Sequence, residues 1–539
     1  MNFPQSLSLI SLVGRLLCAG VGIATFLPAA ARGDVKMPSI FGDHMVLQQG
    51  MKLPVWGKAD PGEKVMVSVG GAQGSATADE QGRWRVDLDP LPVSAQPVVL
   101  EVRGAGNTLK FSDVLIGDVW ICSGQSNMAF TLGHASNAST EIPRANDDQF
   151  RLFRVARKVA YEPQSDCAGK WEICTPESAA PFSAIGYFFG REVQEKHHVP
   201  VGMIGSYVGG TPAQAWTSLE GLQAEPSLKP RVDEFLYTKV NRDKLKEQYE
   251  SVTLPAWKKA RETKKDKRKP MDPSDAQWMP TGLYNGMIAP LIPFTIKGVI
   301  WYQGANNMPN AMEYRTLFPA VIKDWRKQWG QSDFPFLFIQ TSLWPNKKGE
   351  EYMPGIREAQ LMTLSVPVTG MTVSIDLGDK DNAHFKNKAD LSHRLFLNAE
   401  HVAYGKDLVY SGPIFKTMKA EGDKLRLSFD HTGSGLIIGS APSDKLGVPS
   451  APPASTLNGF AVAGSDMKFV PANAVIDGNT VVVSSDKVKQ PVAVRYGWAD
   501  APEVNLYNKE GLPAATFRTD SLPLPVRDAK KSHISLPEE

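Results

Sequence analysis

The chain has little cysteine, almost no net charge and, beyond its first thirty or so residues, no long apolar run. Four cysteines among 539 residues are too few for a disulfide scaffold, so packed cores must hold the fold. Cys18 falls in the apolar leader described below. Cys122 sits in an apolar stretch and reads as a small buried filler. Cys167 and Cys174 could pair in an oxidising compartment, a question of geometry that spacing leaves open. A net charge of +2 removes any global attraction to nucleic acid or an anionic membrane. No internal repeat is present, and no histidine has the company of a metal motif such as H-E-x-x-H. His44, His197-His198, His393 and His401 therefore carry no metal reading, and neither metal nor cofactor is expected.

What is present is an ordinary globular composition, 42% hydrophobic and 22% charged, on a chain long enough for about three domains. Arg15, the apolar stretch 16–27 and Pro28-Ala-Ala-Ala31 form a signal peptide over 1–31, with an apolar part too short for a membrane span. An exported, periplasmic or extracellular protein is expected. Residues 32–113 alternate short strands with turns such as Asp60-Pro-Gly-Glu63 and Gly70-Gly71, which predicts a β-sandwich. Its Trp56 and Trp84 could bind sugar, but core packing is the role assigned to them. From 114 to 410 strands alternate with helical patterns at 182–196 and 318–329, predicting an α/β domain with a parallel sheet covered on both faces. A polar insertion at about 222–280 carries a basic run, 258–269, read as a solvated helix face or loop. Strands return over 411–520, around a Pro/Ala/Ser loop at 441–456, and an irregular tail follows from 521 to 539.

The stretch with the most chemistry is Asp118-Val-Trp-Ile-Cys-Ser-Gly-Gln-Ser-Asn-Met128. A buried strand stops at Gly124 and delivers Ser126 to a tight turn, with Asn127 and Met128 entering a helix. That places a hydroxyl where α/β sheets bind ligands. Serine hydrolysis also needs a base, an orienting acid and donors for the oxyanion. Three later stretches end strands in polar or glycine residues and supply them: Gly209-Gly210, Gln303 to Asn307, and Asp376 to His384. The reading is Ser126 as nucleophile, His384 as base, and Asp381 or Asp379 as orienting acid. The oxyanion donors are the N–H groups of Ser126 and of Gly209 or Gly210, with the amide of Gln303 or Asn307.

The same stretches resemble the sialate O-acetylesterase family, carbohydrate acetylesterases of the SGNH hydrolase superfamily. The opening Phe41-Gly-Asp-His-Met-Val-Leu-Gln-Gln49, the Ser126 block and Gly209-Gly-Thr-Pro-Ala-Gln-Ala-Trp216 match it. So do Leu283 to Pro290, Arg357-Glu-Ala-Gln360, Ala493 to Trp498, Asn505 to Asn508 and Phe517 to Asp520. The resemblance implies an SGNH-type three-layer hydrolase domain between two β-sandwich-like domains. It also implies removal of O-acetyl groups from a sugar through an acetyl-serine. Two departures stand out. Ala305 and Asn306 replace a Glu and a Ser of the family's Trp-Tyr-Gln-Gly-Glu-Ser-Asn, and Phe385 replaces the proline after the histidine. Neither deletes nucleophile or base, although substrate or pH optimum could shift. The sugar stays open between sialate and acetylxylan or another glycan. The rival of a different class is an inactive, secreted glycan-binding protein.

Overall fold

A computed structural model of the chain describes residues 34–263, 269–344, 351–443 and 454–525. The expected leader, residues 264–268 of the basic run, most of the 441–456 loop and the tail beyond 525 lie outside these. The architecture is mixed α/β: a central, mostly parallel sheet with further antiparallel sheets on either side of it in the chain. The central sheet is built from β1 (Thr108–Gly124), β2 (Asp147–Arg154), β3 (Trp171–Cys174), β4 (Val201–Tyr207), β5 (Gly298–Tyr302), β6 (Phe336–Ile339) and β7 (Thr369–Thr372). Their spatial order is β7-β6-β5-β1-β4-β2-β3, and all neighbours are parallel except β2 and β3.

β1 is longer than expected. The boundary at 113/114 falls inside it, and the strand serves two sets of partners. Thr108 to Ile116 pair antiparallel with Ser94–Arg103, and Leu115 to Gly117 run parallel to Val46–Gln48. Asp118 to Gly124 then lie between β4 and β5. The N-terminal strands are thus tied to the central sheet by a continuous backbone.

The end of β1 is apolar at every position from Val119 to Cys122, as expected of a strand covered on both faces. Alternate side chains go to opposite cores. Trp120, Cys122, Ile300, Tyr302, Leu337 and Ile339 pack on one face against helices α1 (Ala184–His197) and α4 (Lys388–Val402). Val119, Ile121, Val299, Trp301, Phe336 and Phe338 pack on the other against α2 (Ala311–Trp329) and α3 (Met353–Met362). α1 starts where Ser183 Oγ accepts from Gly186 N (3.1 Å), a side-chain cap that satisfies one free helix-end donor. It stops at His198 in the left-handed region (φ 54).

Three expectations change. Asn127 and Met128 form an isolated turn, with Met128 N and Ala129 N both donating to Gln125 O, and start no helix. The last strand ends at Thr372, not Asp376, because buried Ser374 donates to Gln340 O (2.6 Å) and turns the chain into a 3-10 turn, Ile375–Leu377. Cys167 and Cys174 are separate buried thiols, as is Cys122, and burial raises the first two to about 12. Trp84 is buried and Trp56 packs edge-on against Phe41, as core residues do. The 222–280 insertion is helical at Lys229–Val240, Arg242–Gln248 and Leu254–Thr263. No helix among the described residues is long and apolar enough to cross a membrane.

The C-terminal sheets dock on the central unit through buried polar contacts. Asp376 makes two 2.7 Å bonds with the guanidinium of Arg394 and accepts from Tyr507 OH (3.0 Å) of a C-terminal strand. Removing one partner of such a pair leaves a buried charge alone, which costs about 3–5 kcal/mol. Asp376→Ala is therefore expected to lower the thermal unfolding midpoint far more than a typical surface substitution, measured by calorimetry on the full chain.

Candidate active site

The catalytic candidates meet where strand ends converge. The chain leaves β1 toward the β4–β2 side and leaves β5 toward β6, so the ends of β1 and β5 flank the point where the connections reverse. In α/β sheets that crevice holds the ligand. Gln125 N donates to Tyr302 O (2.9 Å) and Val208 N to Gly124 O (3.1 Å), fixing the Ser126 turn between its two neighbours. Gly124 has φ +129, and a Cβ there would lie 2.3 Å from Tyr302 O, so only glycine permits this turn.

Ser126 and His384 line one small cleft, with Ala305, Thr341, Trp344 and Met353 among its other walls. The donors expected for an oxyanion are at hand in the backbone. Among the described residues, the N–H groups of Ser126, Gly209 and Gly210 have no acceptor within the chain. A Cβ built on Gly209 would stand 3.4 Å from Ser126 Cβ, so this peptide lies directly against the nucleophile. Its orientation is set from behind: Gln277 donates to Gly209 O (2.6 Å) and Asn306 to Gly210 O (3.0 Å).

The side-chain amides expected beside them do other work. Gln303 spends its amide on Thr211 O (3.2 Å) and Asn307 Oδ1 (2.8 Å). Asn307 also accepts from Ala213 N (2.9 Å), donates to Gln214 (3.0 Å) and does not line the cleft. Both tie the glycine loop to the end of β5, and Gln303 also lines the cleft. Neither expected acid reaches the base. Asp379 Oδ1 accepts from Asp381 N (2.8 Å), a turn contact, and Asp381 is exposed. Among the described residues no carboxylate pairs with the His384 ring, whose backbone N–H is held by Asn382 Oδ1 (2.9 Å). The residue of that stretch with a strong ionic partner is Asp376, and its partner is Arg394.

Sequence reasoning missed the supports. Arg357 is fully buried and donates to the carbonyls of Thr341, Ser342, Ala499 and Asp500, so a C-terminal loop braces the cleft wall. Gln360 donates to Gln303 O (3.0 Å) and accepts from Thr341 N (2.9 Å). The Arg357 to Gln360 match was visible as a motif, but a motif does not say whether its polar atoms face substrate or scaffold. Asn127 was read only as entering a helix, and Lys388 was not singled out. The departures are also placed: Ala305 puts a methyl in the cleft wall, and the Phe385 ring is buried against the Lys388 amine. Among the described residues no group of three or more His, Cys, Asp or Glu is placed to hold a metal.

A serine and a histidine on one small cleft at a sheet's switch point, beside backbone donors with no acceptor among the described residues, make a site suited to ester hydrolysis, and the comparisons with known proteins specify the class. Residues 116–251 and 274–397 match the family model for a carbohydrate esterase, sialic acid-specific acetylesterase. The sialate O-acetylesterase of Rattus norvegicus is 31% identical over 470 residues, 79% of this chain and 83% of the rat protein. That of Homo sapiens is 31% identical over 423 residues, 70% of this chain and 73% of the human protein. A crystal structure of a carbohydrate acetylesterase from Xanthomonas citri superposes with a TM-score of 0.76 at 36% identity, over 91% of this chain and all of that one. The chain belongs to the sialate O-acetylesterase family. It is a carboxylic ester hydrolase, an esterase acting on sugar acetyl groups.

Burial first, and the charge of Lys388 second, hold the His384 imidazole below its usual 6.5. The base must be neutral to accept a proton, so activity is lost as pH falls through its pKa and persists further into acid when that pKa is depressed. The acid limb of kcat/KM is therefore expected to have its midpoint below 6.5. A midpoint above that value, measured with a chromogenic acetate ester, would contradict the environment assigned to His384.

Proposed function

We propose that the chain is an exported serine esterase that removes O-acetyl groups from a carbohydrate, with an O-acetylated sialic acid as the first candidate substrate. The observation that carries this is the shared cleft of Ser126 and His384 beside unpartnered backbone donors. We read the fold as an SGNH-type three-layer hydrolase domain flanked by N- and C-terminal β-sandwich-like domains. Export is part of the same proposal and rests on Arg15, the apolar stretch after it and the small residues ending at Ala31.

In this reading the Ser126 hydroxyl gives its proton to His384 as Oγ bonds to the acetyl carbonyl carbon. The resulting oxyanion is held by the N–H groups of Ser126 and Gly209 or Gly210. Collapse breaks the bond to the sugar oxygen, which takes the proton from the imidazolium and leaves. Water, deprotonated by His384, then attacks the acetyl-serine, and acetate departs as Ser126 recovers its proton. With no carboxylate on the ring among the described residues, we take the working unit to be a serine–histidine pair. Sialate is favoured by the description of the matching family model and by the names of the mammalian relatives. Acetylxylan or another acetylated glycan is the second reading, and the Xanthomonas relative, described only as a carbohydrate acetylesterase, leaves room for it.

Assays on O-acetylated sialic acids and acetylated xylo-oligosaccharides separate the two sugars. Ser126→Ala and His384→Ala are each expected to lower kcat by at least ~10³-fold with folding retained, as for residues that act as one unit. Asp379→Asn and Asp381→Asn are expected to keep most of the activity. A dead Asp381→Asn enzyme that folds normally would restore the triad in place of the pair, and an active Ser126→Ala enzyme would sink the mechanism.

A further inference from the structure

Beside the cleft lies a buried amine that the mechanism does not use. Lys388 is the first residue of α4 and has no exposed surface. Its Nζ lies 3.6 Å from the Phe385 ring centroid, 5.0 Å from that of Phe130 and 5.9 Å from that of Tyr302. Its hydrogen bond is to Asn127 Oδ1, at 2.7 Å. Burial works against an ammonium, and so does the positive end of a helix dipole. Three ring faces and an amide oxygen favour it. A lysine here costs stability that methionine or leucine would not, so its contact with Asn127 needs a reason.

Asn127 supplies one. It follows the nucleophile in sequence, and its Nδ2 donates to Ala383 O (3.0 Å), the carbonyl just before His384. One amide thus spans the Ser126 turn and the histidine loop, which are 256 residues apart in the chain. Lys388 fixes the orientation of that amide: with Oδ1 held by a donor, Nδ2 must face Ala383. Among the described residues no carboxylate places the His384 ring, and this connection is a direct polar link between the Ser126 turn and the His384 loop at the cleft.

We propose that Lys388 is a positioning residue for the esterase, holding Asn127 as a bracket that keeps Ser126 and His384 in register. The inference rests on the serine-esterase reading above. Phe385 fits it as well, since a proline at that position would take away the ring face nearest the amine. Burial lowers the Lys388 amine well below its usual 10.5, and in its protonated form it is the charge that acts on His384. From the other elements around the imidazole come Asn127, Tyr302, Gln303, Thr341, Ser342 and Trp344, none of them charged. On its own loop, Asp379, Lys380, Asp381 and Lys386 are exposed.

The test uses the full chain, a chromogenic acetate ester and four variants: Lys388→Met, Asn127→Ala, their combination, and Ser126→Ala. Lys388→Met and Asn127→Ala are each expected to lower kcat by roughly 10²-fold, the size of a small misplacement of reacting groups, with KM little changed. The combined variant should fall no further than the weaker of the two, because both cut one link. Lys388→Met should also move the acid limb of kcat/KM to higher pH, by removing a charge that opposes the imidazolium, which a general loss of packing would not do. Thermal melts establish folding, and if Lys388→Met does not fold, Asn127→Ala carries the test alone. Wild-type kcat in a folded Lys388→Met or Asn127→Ala enzyme overturns the bracket, as do losses that multiply in the combined variant. If Ser126→Ala keeps its turnover, the serine reading itself fails. If Ser126→Ala is dead while the other variants are fully active, only the bracket falls.

Discussion

Two backbone hydrogen bonds at the end of one strand carry the site. Gln125 N to Tyr302 O and Val208 N to Gly124 O close the ladder just as β1 stops, and the chain must turn at once. The turn is tight enough that Gly124 sits against the Tyr302 carbonyl, where any side chain would collide. Ser126 is thereby presented by a sheet whose neighbouring strands are already fixed, which gives a nucleophile a defined position at little further cost in entropy. The same strand reaches back to Thr108 among the N-terminal strands, so the turn that bears Ser126 is anchored along 17 residues.

Around that seat, most polar side chains serve as scaffold. Gln303, Asn307, Gln360 and Arg357 bind backbone carbonyls and one another and so hold the loops that follow the strands. Leaving any of these groups buried without a partner would be costly, and each has one. The groups left over for chemistry are few: a hydroxyl, an imidazole and backbone N–H groups. Arg357 extends the arrangement to the C-terminal sheets through Ala499 and Asp500, which links a separate part of the chain to the cleft wall.

Much of this was legible in the sequence because the central strands are covered on both faces and read as apolar runs ending in glycine or polar residues. β4, β5 and β6 are of this kind, buried at every position except Tyr207. β2 and β3 escaped notice because Asp147 to Gln149 and Glu172 interrupt their patterns. The 113/114 boundary falls inside β1, since alternation on one side of Asp113 and a continuous apolar run on the other look like two strands. Ser126 and His384 stood out because few residue types can act as nucleophile and base, and the fold puts both on one cleft. The partners of Asp379, Asp381, Gln303 and Asn307 were not legible, because an amide or carboxylate has many uses and its spacing to His384 does not say where it points. The Lys388–Asn127–Ala383 link joins positions distant in the chain, and no local pattern could display it.

The central claim is that Ser126 is the atom that takes the acetyl group. Rapid acid quenching of the enzyme during turnover of an acetate ester, followed by peptide mass spectrometry, tests it most directly. The account predicts an acetyl group on the peptide containing Ser126, accumulating within the first turnovers and absent from Ser126→Ala. Acetylation of a different residue, or undiminished turnover with no acetyl on Ser126, would contradict it.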